Sequence, residues 1–438
     1  MMTEEQLPLN IEGLEQYQSK LNSTSGAWLK TFRQKSFSQW AEIGMPTVKD
    51  EEWKYSSLAE VVNRRFQLAT RHQLIESKQF ENYRDKNDIN IVLVNGVLWG
   101  ELSDLKHLPH GLTVSSLNEK LAHNEIEIQD TISKLTPNDT KAFLWMNQAL
   151  FLDGACIQVA KNAVIEPLVH IIHVTSAIAS DTIVFPKTFI SVAEAAEVNI
   201  LESHICFEPV SYLSNAVTDM RIASNAIVGY CKAQAEAHQA VHIGTTRIWQ
   251  EQGSTLDSFS FNHGGLITRN NLSILIKGEG TNTIMNGLYG LDGNQHVDNH
   301  TLLDIQYPNC TSYQLYKGLL NGKSRAIFNG KIYVHAIAQK TNAYQLNKHL
   351  LLGKEARVDT KPQLEIFADD VKCTHGATIG QLSQEEIFYL QSRCITQQMA
   401  IQLLSKGFID DIINTIKSDS IRGKLSRLIL KKFPEVKL

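Results

Sequence analysis

In the stretch NNLSILIKG (Asn270–Gly278), the apolar residues Leu272, Ile274 and Ile276 alternate with their neighbours. EVNILESH (Glu197–His204) and STLDSFSFN, which precedes the first stretch, alternate in the same way. A spacing of two sends successive side chains to opposite faces of an extended chain. These stretches are therefore predicted to be strands with one buried face.

The strand pattern extends from about Cys156 to Thr378, where Val, Ile, Thr and Phe dominate. Turns are predicted at three Asn-Gly pairs: Asn286-Gly287, Asn321-Gly322 and Asn329-Gly330. A long run of short strands without helices is typical of a sandwich, a large barrel, a propeller or a parallel β-helix. No repeat of fixed length chooses among these four architectures.

Helical patterns flank the strands. Near the N-terminus, four aromatic residues have the loose spacing of one helix face: Trp28, Phe32, Phe37 and Trp40. Pro46 predicts a break after them, because proline disfavours helix in the residue before it. Two short apolar runs then flank Asn95-Gly96, which predicts a hairpin, since both residues tolerate positive φ.

The C-terminal part is predicted to be helical from Ser383. SQEE (Ser383–Glu386) has the form of a capping box, in which side chains satisfy the free backbone donors of the first turn. Two sets of apolar residues follow at helical spacing: Ile409, Ile412, Ile413 and Ile416, then Ile421, Leu425, Leu428 and Ile429. Helices this apolar must dock on the body of the chain or on a partner.

Composition excludes several classes of protein. The chain has 438 residues, 46 acidic and 42 basic side chains and a net charge of −4, which argues against a nucleic-acid-binding protein. No apolar stretch approaches the roughly 20 residues that span a bilayer, and the acidic start MMTEEQLPLN is unlike a secretory signal. Six scattered cysteines without a C-x-x-C pair indicate reduced thiols, so we expect a cytoplasmic protein.

Cys373 and His375 are the first metal-binding candidates, in ADDVKCTHGATIG (Ala368–Gly380). In an extended strand they share a face with Asp369 and Val371. A thiolate and an imidazole suit a soft or borderline metal, but a structural zinc or an iron–sulfur cluster takes about four ligands. The pattern is therefore half of a site. The alternative is a strand end with a buried thiol and a hydrogen-bonded imidazole.

HVDNH is the second candidate, because His296, Asp298 and His300 share one face of a strand. No further acid or thiol lies nearby in sequence, so we interpret the group as a polar ladder. GLLNGKS (Gly318–Ser324) lacks the spacing of a phosphate-binding loop and is followed by a strand pattern, so we reject it. No nucleophile elbow or dinucleotide fingerprint is present. We therefore predict that the chain has no catalytic machinery of its own.

Longer motifs resemble the SufB/SufD family of iron–sulfur cluster assembly proteins. The similarity is dense from about residue 291 to 402. It is carried by TKPQLEIFADDVKCTHGATIG (Thr360–Gly380) with EEIFYLQSR, and by DEEWKYSSL, HVDNHT, CTSYQLYKG, SRAIFNGKIYV and AQKTNAYQLNKHLLL. CTHGATIG is typical of the SufD branch, since the SufB branch has a different segment there.

The resemblance implies a mainly β fold, a right-handed parallel β-helix flanked by helical regions. We therefore expect an N-terminal helical region over 1–90 and a β-helix core over 91–382, with a mixed segment up to about 155. The C-terminal helical region, 383–438, is expected to dock an ATPase subunit.

The resemblance also implies a complex. SufD-like chains pair with a SufB-like paralogue, and each binds the ABC-type ATPase SufC, which hydrolyses ATP. His375 would then be a ligand that faces the SufB-like chain, with Cys373 beside it. A transient iron–sulfur cluster or iron would be shared across the interface, with a role in iron acquisition, and no cofactor is expected to be tightly bound to the isolated chain. A homodimer is expected when the chain is alone.

One residue departs from the family pattern: Cys394 stands where a glycine usually follows Ser-Arg. A glycine there suits positive φ, which would strain a cysteine by about 1 kcal/mol. We interpret Cys394 as structural and not as a ligand. The rival functions are an extracellular carbohydrate-acting enzyme on a β-helix, for which an acidic cluster is missing, and a homodimeric storage form.

Overall fold

A stack of parallel strands with helices at both ends forms the body of the chain. The computed structural model describes residues 8–69, 77–81, 83–123, 125–135, 141–176 and 179–432. The acidic start of the chain up to residue 7 and the last six residues of the expected ATPase-docking region lie outside the described residues.

The first elements are mostly helical. In chain order they are β1 (Asn10–Glu12), α1 (Leu14–Thr24), α2 (Ala27–Ile43), α3 (Ala59–Val62), β2 (Arg65–Leu68), β3 (Ile89–Val94), β4 (Val97–Leu98), β5 (Leu112–Ser116), α4 (Leu117–Ala122), α5 (Ile126–Lys134) and α6 (Ala142–Leu150). Short 3-10 turns lie at Glu51–Trp53 and Ser77–Phe80.

The remaining elements are strands followed by three helices. They are β6 (Ala155–Val159), β7 (Val164–Thr175), β8 (Thr182–Val184), β9 (Lys187–Val192), β10 (Glu197–Cys206), β11 (Tyr212–Ile222), β12 (Ile227–Ala235), β13 (Val241–Gln250), β14 (Thr255–Asn262), β15 (Ile267–Ile276), β16 (Asn282–Leu291), β17 (His296–Ile305), β18 (Thr311–Leu320), β19 (Arg325–Val334), β20 (Asn342–Leu351), β21 (Arg357–Ile366), β22 (Lys372–Gln381), α7 (Gln384–Gln391), α8 (Gln397–Ile413) and α9 (Asp419–Lys432).

Successive strands alternate between two sheets. One sheet runs β11-β13-β15-β17-β19-β21 and the other β22-β20-β18-β16-β14-β12-β10-β7, with parallel pairing throughout these runs. The chain thus winds through a β-helix of about eight turns. The predicted mainly β fold, a parallel β-helix between helical regions, is confirmed.

The coils differ in length. Thr255 pairs with Asn282, Asn282 with Thr311, Thr311 with Asn342 and Asn342 with Lys372. The spacing along the chain therefore varies from 27 to 31 residues. The differences lie in the corners between strands, while the strands of eight to ten residues stay in register. This is why no repeat of fixed length is visible in the sequence.

Of the three predicted Asn-Gly turns, Asn321-Gly322 is confirmed, with Gly322 at φ 63° between two strands. The other two predictions are wrong, because those pairs lie inside β16 and β19. Each strand glycine makes room for a side chain of a neighbouring coil. A Cβ on Gly287 would collide with the ring of Tyr316, and one on Gly330 would lie 2.5 Å from the Gln345 amide nitrogen.

The predicted N-terminal helix is α2, which ends at Ile43, before the predicted break. Its buried face runs through Leu29, Arg33 and Trp40, while the other three predicted aromatic residues are only half-buried. Arg33 lies on this face because its guanidinium donates a hydrogen bond of 2.8 Å to the Phe151 carbonyl. The spacing of apolar residues does not reveal such a position, because arginine is expected to be exposed.

Local signals elsewhere are borne out. Asn95 and Gly96 take φ values of 49° and 81° and join β3 to β4 in an antiparallel pair, so the predicted hairpin is confirmed. Ser383 is the N-cap of α7, and its hydroxyl accepts a hydrogen bond of 3.3 Å from the Glu386 amide. Cys394 has φ 65°, so the cysteine occupies the left-handed conformation that favours glycine.

The second half of α8 and α9 as far as Ile429 pack against the outer face of one β-helix sheet. Ile409, Ile412 and Ile413 share an apolar cluster with Leu288 and Leu315 of the strands. The side chain of Lys317 binds the Phe408 carbonyl at 3.0 Å and pairs with Asp411. The apolar faces predicted in this region are therefore covered by the chain itself.

Candidate functional site at the open end of the β-helix

The final coil leaves both sheets with an uncovered strand. In the part of the chain that the structure describes, β21 pairs with β19 and β22 with β20, and neither has a neighbour on its other side. An unpaired edge presents a row of free N–H and C=O groups to another chain. This open end is therefore a surface on which an additional strand can pair.

The edge of β22 has an uninterrupted set of outward donors. The Lys372 amide donates to the Thr341 carbonyl at 2.9 Å, toward the neighbouring strand. Because successive amides of a strand point to opposite edges, those of Cys373, His375 and Ala377 point to the open side. This alternation continues to the end of the strand.

The edge of β21 is different. The Arg357 amide donates to the Ser324 carbonyl at 3.0 Å, so even-numbered positions of this strand face the open side. Pro362 is one of them, and it has no amide hydrogen. Proline is confined to edges in sheets and blunts the edge where it stands. The edge of β22 is thus the better template for pairing.

Cys373 and His375 share the face of β22 that continues the interior of the β-helix. In register, Cys373 stacks on Ala343 and His375 on Gln345. Gln345 is fully buried, and its side-chain amide donates to the side-chain oxygen of Gln314 at 2.7 Å, while Cys373 packs against the interior apolar core. His375 is exposed because no described coil covers this position. Both donors therefore face out of the end of the β-helix.

Burial raises the pKa of the Cys373 thiol. The group is therefore protonated at neutral pH unless a metal ion or a nearby positive charge stabilises the thiolate. Cys373 and His375 can supply two of the roughly four ligands that an iron–sulfur cluster requires. The half-site predicted from sequence is placed on an uncovered surface.

We predicted that Asp369, Val371, Cys373 and His375 share one face of a strand, and this prediction is wrong for Asp369. Asp369 lies in the bend between β21 and β22, and regular strand begins only at Lys372. The bend is held by the Lys340 amide, which donates to the Asp370 carbonyl at 2.6 Å. Val371 packs against the interior core, as Cys373 does. The chain must turn a corner here, so alternation does not extend back to Asp369.

His296, Asp298 and His300 share the outer face of β17, as predicted, but an N-terminal segment covers them. The Ser56 hydroxyl lies 2.8 Å from His296 Nε2 and donates to Asp298 at 2.5 Å. His300 lies between Asp298 at 2.9 Å and Glu52 at 2.8 Å. The nearby acid that the local sequence lacks is thus supplied from far along the chain.

In the group of His296, Asp298 and His300, a guanidinium lies where a metal ion would otherwise bind the carboxylate. Arg269 binds Asp298 at 2.8 Å and stacks over the Trp53 ring at 4.0 Å. The hydrogen bond from His300 lowers the pKa of Glu52 to about 2. The segment around Trp53 is therefore fixed to the β-helix by ion pairs, which agrees with the predicted polar ladder.

The rejected phosphate-loop motif joins β18 to β19, so it has a strand on both sides and no helix. Lys323 of the motif pairs with Glu355 at 3.3 Å. The basic residues of the strand that follows also pair with acids, Arg325 with Asp359 at 2.7 Å and Lys331 with Glu365 at 2.6 Å. This geometry gives no cradle for a phosphate.

Sequence reasoning missed an exposed apolar surface on α7 and the first half of α8. It consists of Phe388, Tyr389, Met399 and Leu403, exposed by 71, 56, 53 and 47%. The consecutive aromatic residues Phe388 and Tyr389 were a signal, because two neighbours on a short helix cannot both face one side. Clustered exposed apolar groups of this kind mark interaction surfaces.

Two family models together match most of the chain. The SufBD protein N-terminal region matches residues 9–171, and the SUF system FeS cluster assembly SufBD core domain matches residues 173–408. The chain belongs to the SufB/SufD family of iron–sulfur cluster assembly proteins.

Within this family the chain is SufD-like. It is 29% identical to the iron–sulfur cluster assembly protein SufD of Escherichia coli, over 98% of both chains. It is 30% identical to an iron–sulfur cluster assembly SufBD family protein of Synechocystis, over 94% of this chain and 93% of that one. A chloroplast protein of Arabidopsis thaliana, ABCI7, is 26% identical over 95% of this chain and 89% of its own length.

None of the described helices combines the length and the apolar character needed to cross a membrane.

Proposed function

We propose that this chain is the non-catalytic SufD-type subunit of a SUF scaffold, on which a nascent iron–sulfur cluster forms at the interface with a SufB-like chain. The observation that carries this proposal is the pair Cys373 and His375 at an uncovered strand edge, in a chain of this family. Two donors cannot complete a cluster, so the remaining ligands would come from the chain that covers the edge. The cluster, or iron on its way into it, is transient cargo, and the subunit has a role in iron acquisition.

Pairing of the SufB-like chain with β22 would bring its ligands to this face. Main-chain hydrogen bonds to an open edge supply affinity, and the side chains that alternate along the strand supply specificity. The interface would also cover His375, which is otherwise exposed. A shared site of this kind forms only when both chains are present.

The ATPase subunit SufC would bind the exposed apolar surface of α7 and α8 and hydrolyse ATP. The earlier part of the C-terminal region suits this role better than the part from Ile409 onward, because that later part is packed against the β-helix. Deleting it would uncover the core and would not test docking alone. Such a complex would operate in the cytoplasm.

Replacing Phe388 and Tyr389 together by alanine is expected to weaken SufC binding by about 2 kcal/mol or more, roughly 30-fold, since buried aromatic anchors dominate such interfaces. The measurement is titration of labelled SufC with the full chain. Tyr307→Ala removes another exposed aromatic ring, 41% exposed on a turn of the β-helix, and should bind SufC normally. If the double variant binds SufC as tightly as the wild-type chain, SufC docks on another surface.

The proposed function is tested by anaerobic reconstitution with iron and sulfide of the chain alone, and of the chain with its SufB-like and SufC partners. Visible absorbance and iron content report the cluster. We expect a cluster in the mixed complex and none on the lone chain, including any homodimer that it forms. A stable cluster on the lone chain would contradict the shared site.

A further inference from the structure

A second group of metal-binding side chains lies inside the β-helix, far from its open end. In the parallel pairing of β7 with β10, His173 lies beside His204, two residues after Glu202. All three side chains are almost completely buried. Five strands of the same sheet separate β10 from β22, so this group is distinct from Cys373 and His375.

The donor atoms converge. His204 Nε2 and His173 Nε2 lie 3.0 and 3.5 Å from the same oxygen of Glu202, and one donor atom from each residue lies within 4.8 Å of the others. Ligands held at about 2.1 Å from one ion are roughly 3.0 Å apart in an octahedron and about 3.4 Å apart in a tetrahedron. The two imidazole–carboxylate pairs therefore have the spacing of ligands on one ion. The rings of His173 and His204 stack 4.7 Å apart at 9°, and His173 Nε2 also lies 3.0 Å from the Thr188 hydroxyl, so one ring must turn for both nitrogens to face the ion.

Neighbouring groups orient the carboxylate. Thr218 and Tyr230 donate to Glu202 at 2.8 and 2.7 Å and so fix the orientation of its carboxylate. His173 Nδ1 is buried without a hydrogen-bond partner.

The nearby charges favour a cation. Glu236 and Glu202 are both buried beside these rings, and Glu236 pairs with His242 at 2.7 Å. Lys232 is the opposing charge, and its Nζ is buried without a hydrogen-bond partner. Two imidazoles and one carboxylate are a donor set for borderline first-row metals, Fe²⁺ above all, and a poor one for Ca²⁺ or Mg²⁺.

We propose that His173, Glu202 and His204 bind one divalent first-row transition-metal ion, Fe²⁺ in the first place, inside the β-helix. The site is complete within one chain and needs no partner subunit. It is therefore independent of the shared site proposed above, and either can fail without the other.

The test uses the full chain, unfolded with a chelator and refolded anaerobically with Fe²⁺ or, for its absorption spectrum, Co²⁺. After desalting, we expect about one retained ion per chain, and Co²⁺ bands typical of nitrogen and oxygen ligands. Glu202→Gln and His204→Gln should each lower the affinity at least 100-fold, by roughly the loss of one ligand. Lys232→Met should raise it, because a positive charge beside the ion is removed.

Two controls separate this site from others. His349→Gln changes another buried interior imidazole, bonded to Tyr289, and should retain the ion. A chain with both Cys373→Ser and His375→Ala should retain it as well. No retained ion in the wild-type chain, or equal retention by a folded Glu202→Gln variant, would overturn the proposal. Should that variant fail to fold, unchanged affinity in Lys232→Met would overturn it.

Discussion

Replacing His375 by alanine is expected to abolish cluster formation on the mixed complex while the complex itself still forms. The side chain is exposed at the end of the β-helix, so its removal leaves no cavity and costs little folding free energy. At the proposed shared site, in contrast, the substitution would remove one of the bonds that hold the cluster. The measurements are cluster absorbance after anaerobic reconstitution and the activity of cluster-dependent enzymes in cells that carry the variant.

Thr374→Ala is the matched control, because Thr374 is exposed on the opposite face of the same strand and should assemble clusters normally. Cys373→Ser is expected to have the smaller effect of the two donor substitutions, since a partner thiolate can take its place. Normal cluster-dependent activity with His375→Ala would remove this histidine from the site. Complete loss with Cys373→Ser would reverse the order of importance of the two residues.

Ala377→Pro is expected to weaken pairing with the SufB-like chain by about 2–3 kcal/mol, roughly 30- to 150-fold, while the β-helix stays folded. The amide of Ala377 points to the open side, so proline removes a donor for the partner and not one used within the chain. The partner carbonyl is then left unpaired and meets the proline ring. The change copies on β22 what Pro362 already does on β21.

Ala377→Ser keeps the amide and should pair normally, which separates the backbone effect from that of the side chain. Affinity is measured by titration of the two chains, and thermal unfolding of the lone chain reports its stability. Undiminished pairing of a folded Ala377→Pro chain would show that the partner does not add to this strand edge. The site at His375 would then need another route to its remaining ligands.

Much of the local structure follows from the sequence. Alternation in the strands, the Asn95-Gly96 hairpin and the cap at Ser383 each depend on residues close together in the chain, and each appears in the structure. The spacing of Cys373 and His375 places them on one face wherever the strand lies. The long motifs around these two residues were sufficient to predict the family, and through it the β-helix.

Alternation did not distinguish among the four candidate β architectures, because a period of two describes one strand and not its neighbours. The contacts between distant residues depend on how the coils stack. Asn286-Gly287, predicted to be a turn, lies in a strand beside Tyr316, and Glu52 pairs with His300.

The sequence by itself determined that the middle of the chain is strand and its ends are helical, and that Cys373 and His375 share one face of a strand. Only the tertiary structure decided that Cys373 and His375 lie on an uncovered strand, that the last helices pack on the β-helix, and that His173 meets Glu202 and His204. The physical reason is that these contacts join residues a coil or more apart. Because the coils differ in length, no fixed sequence spacing shows which residues stack on one another.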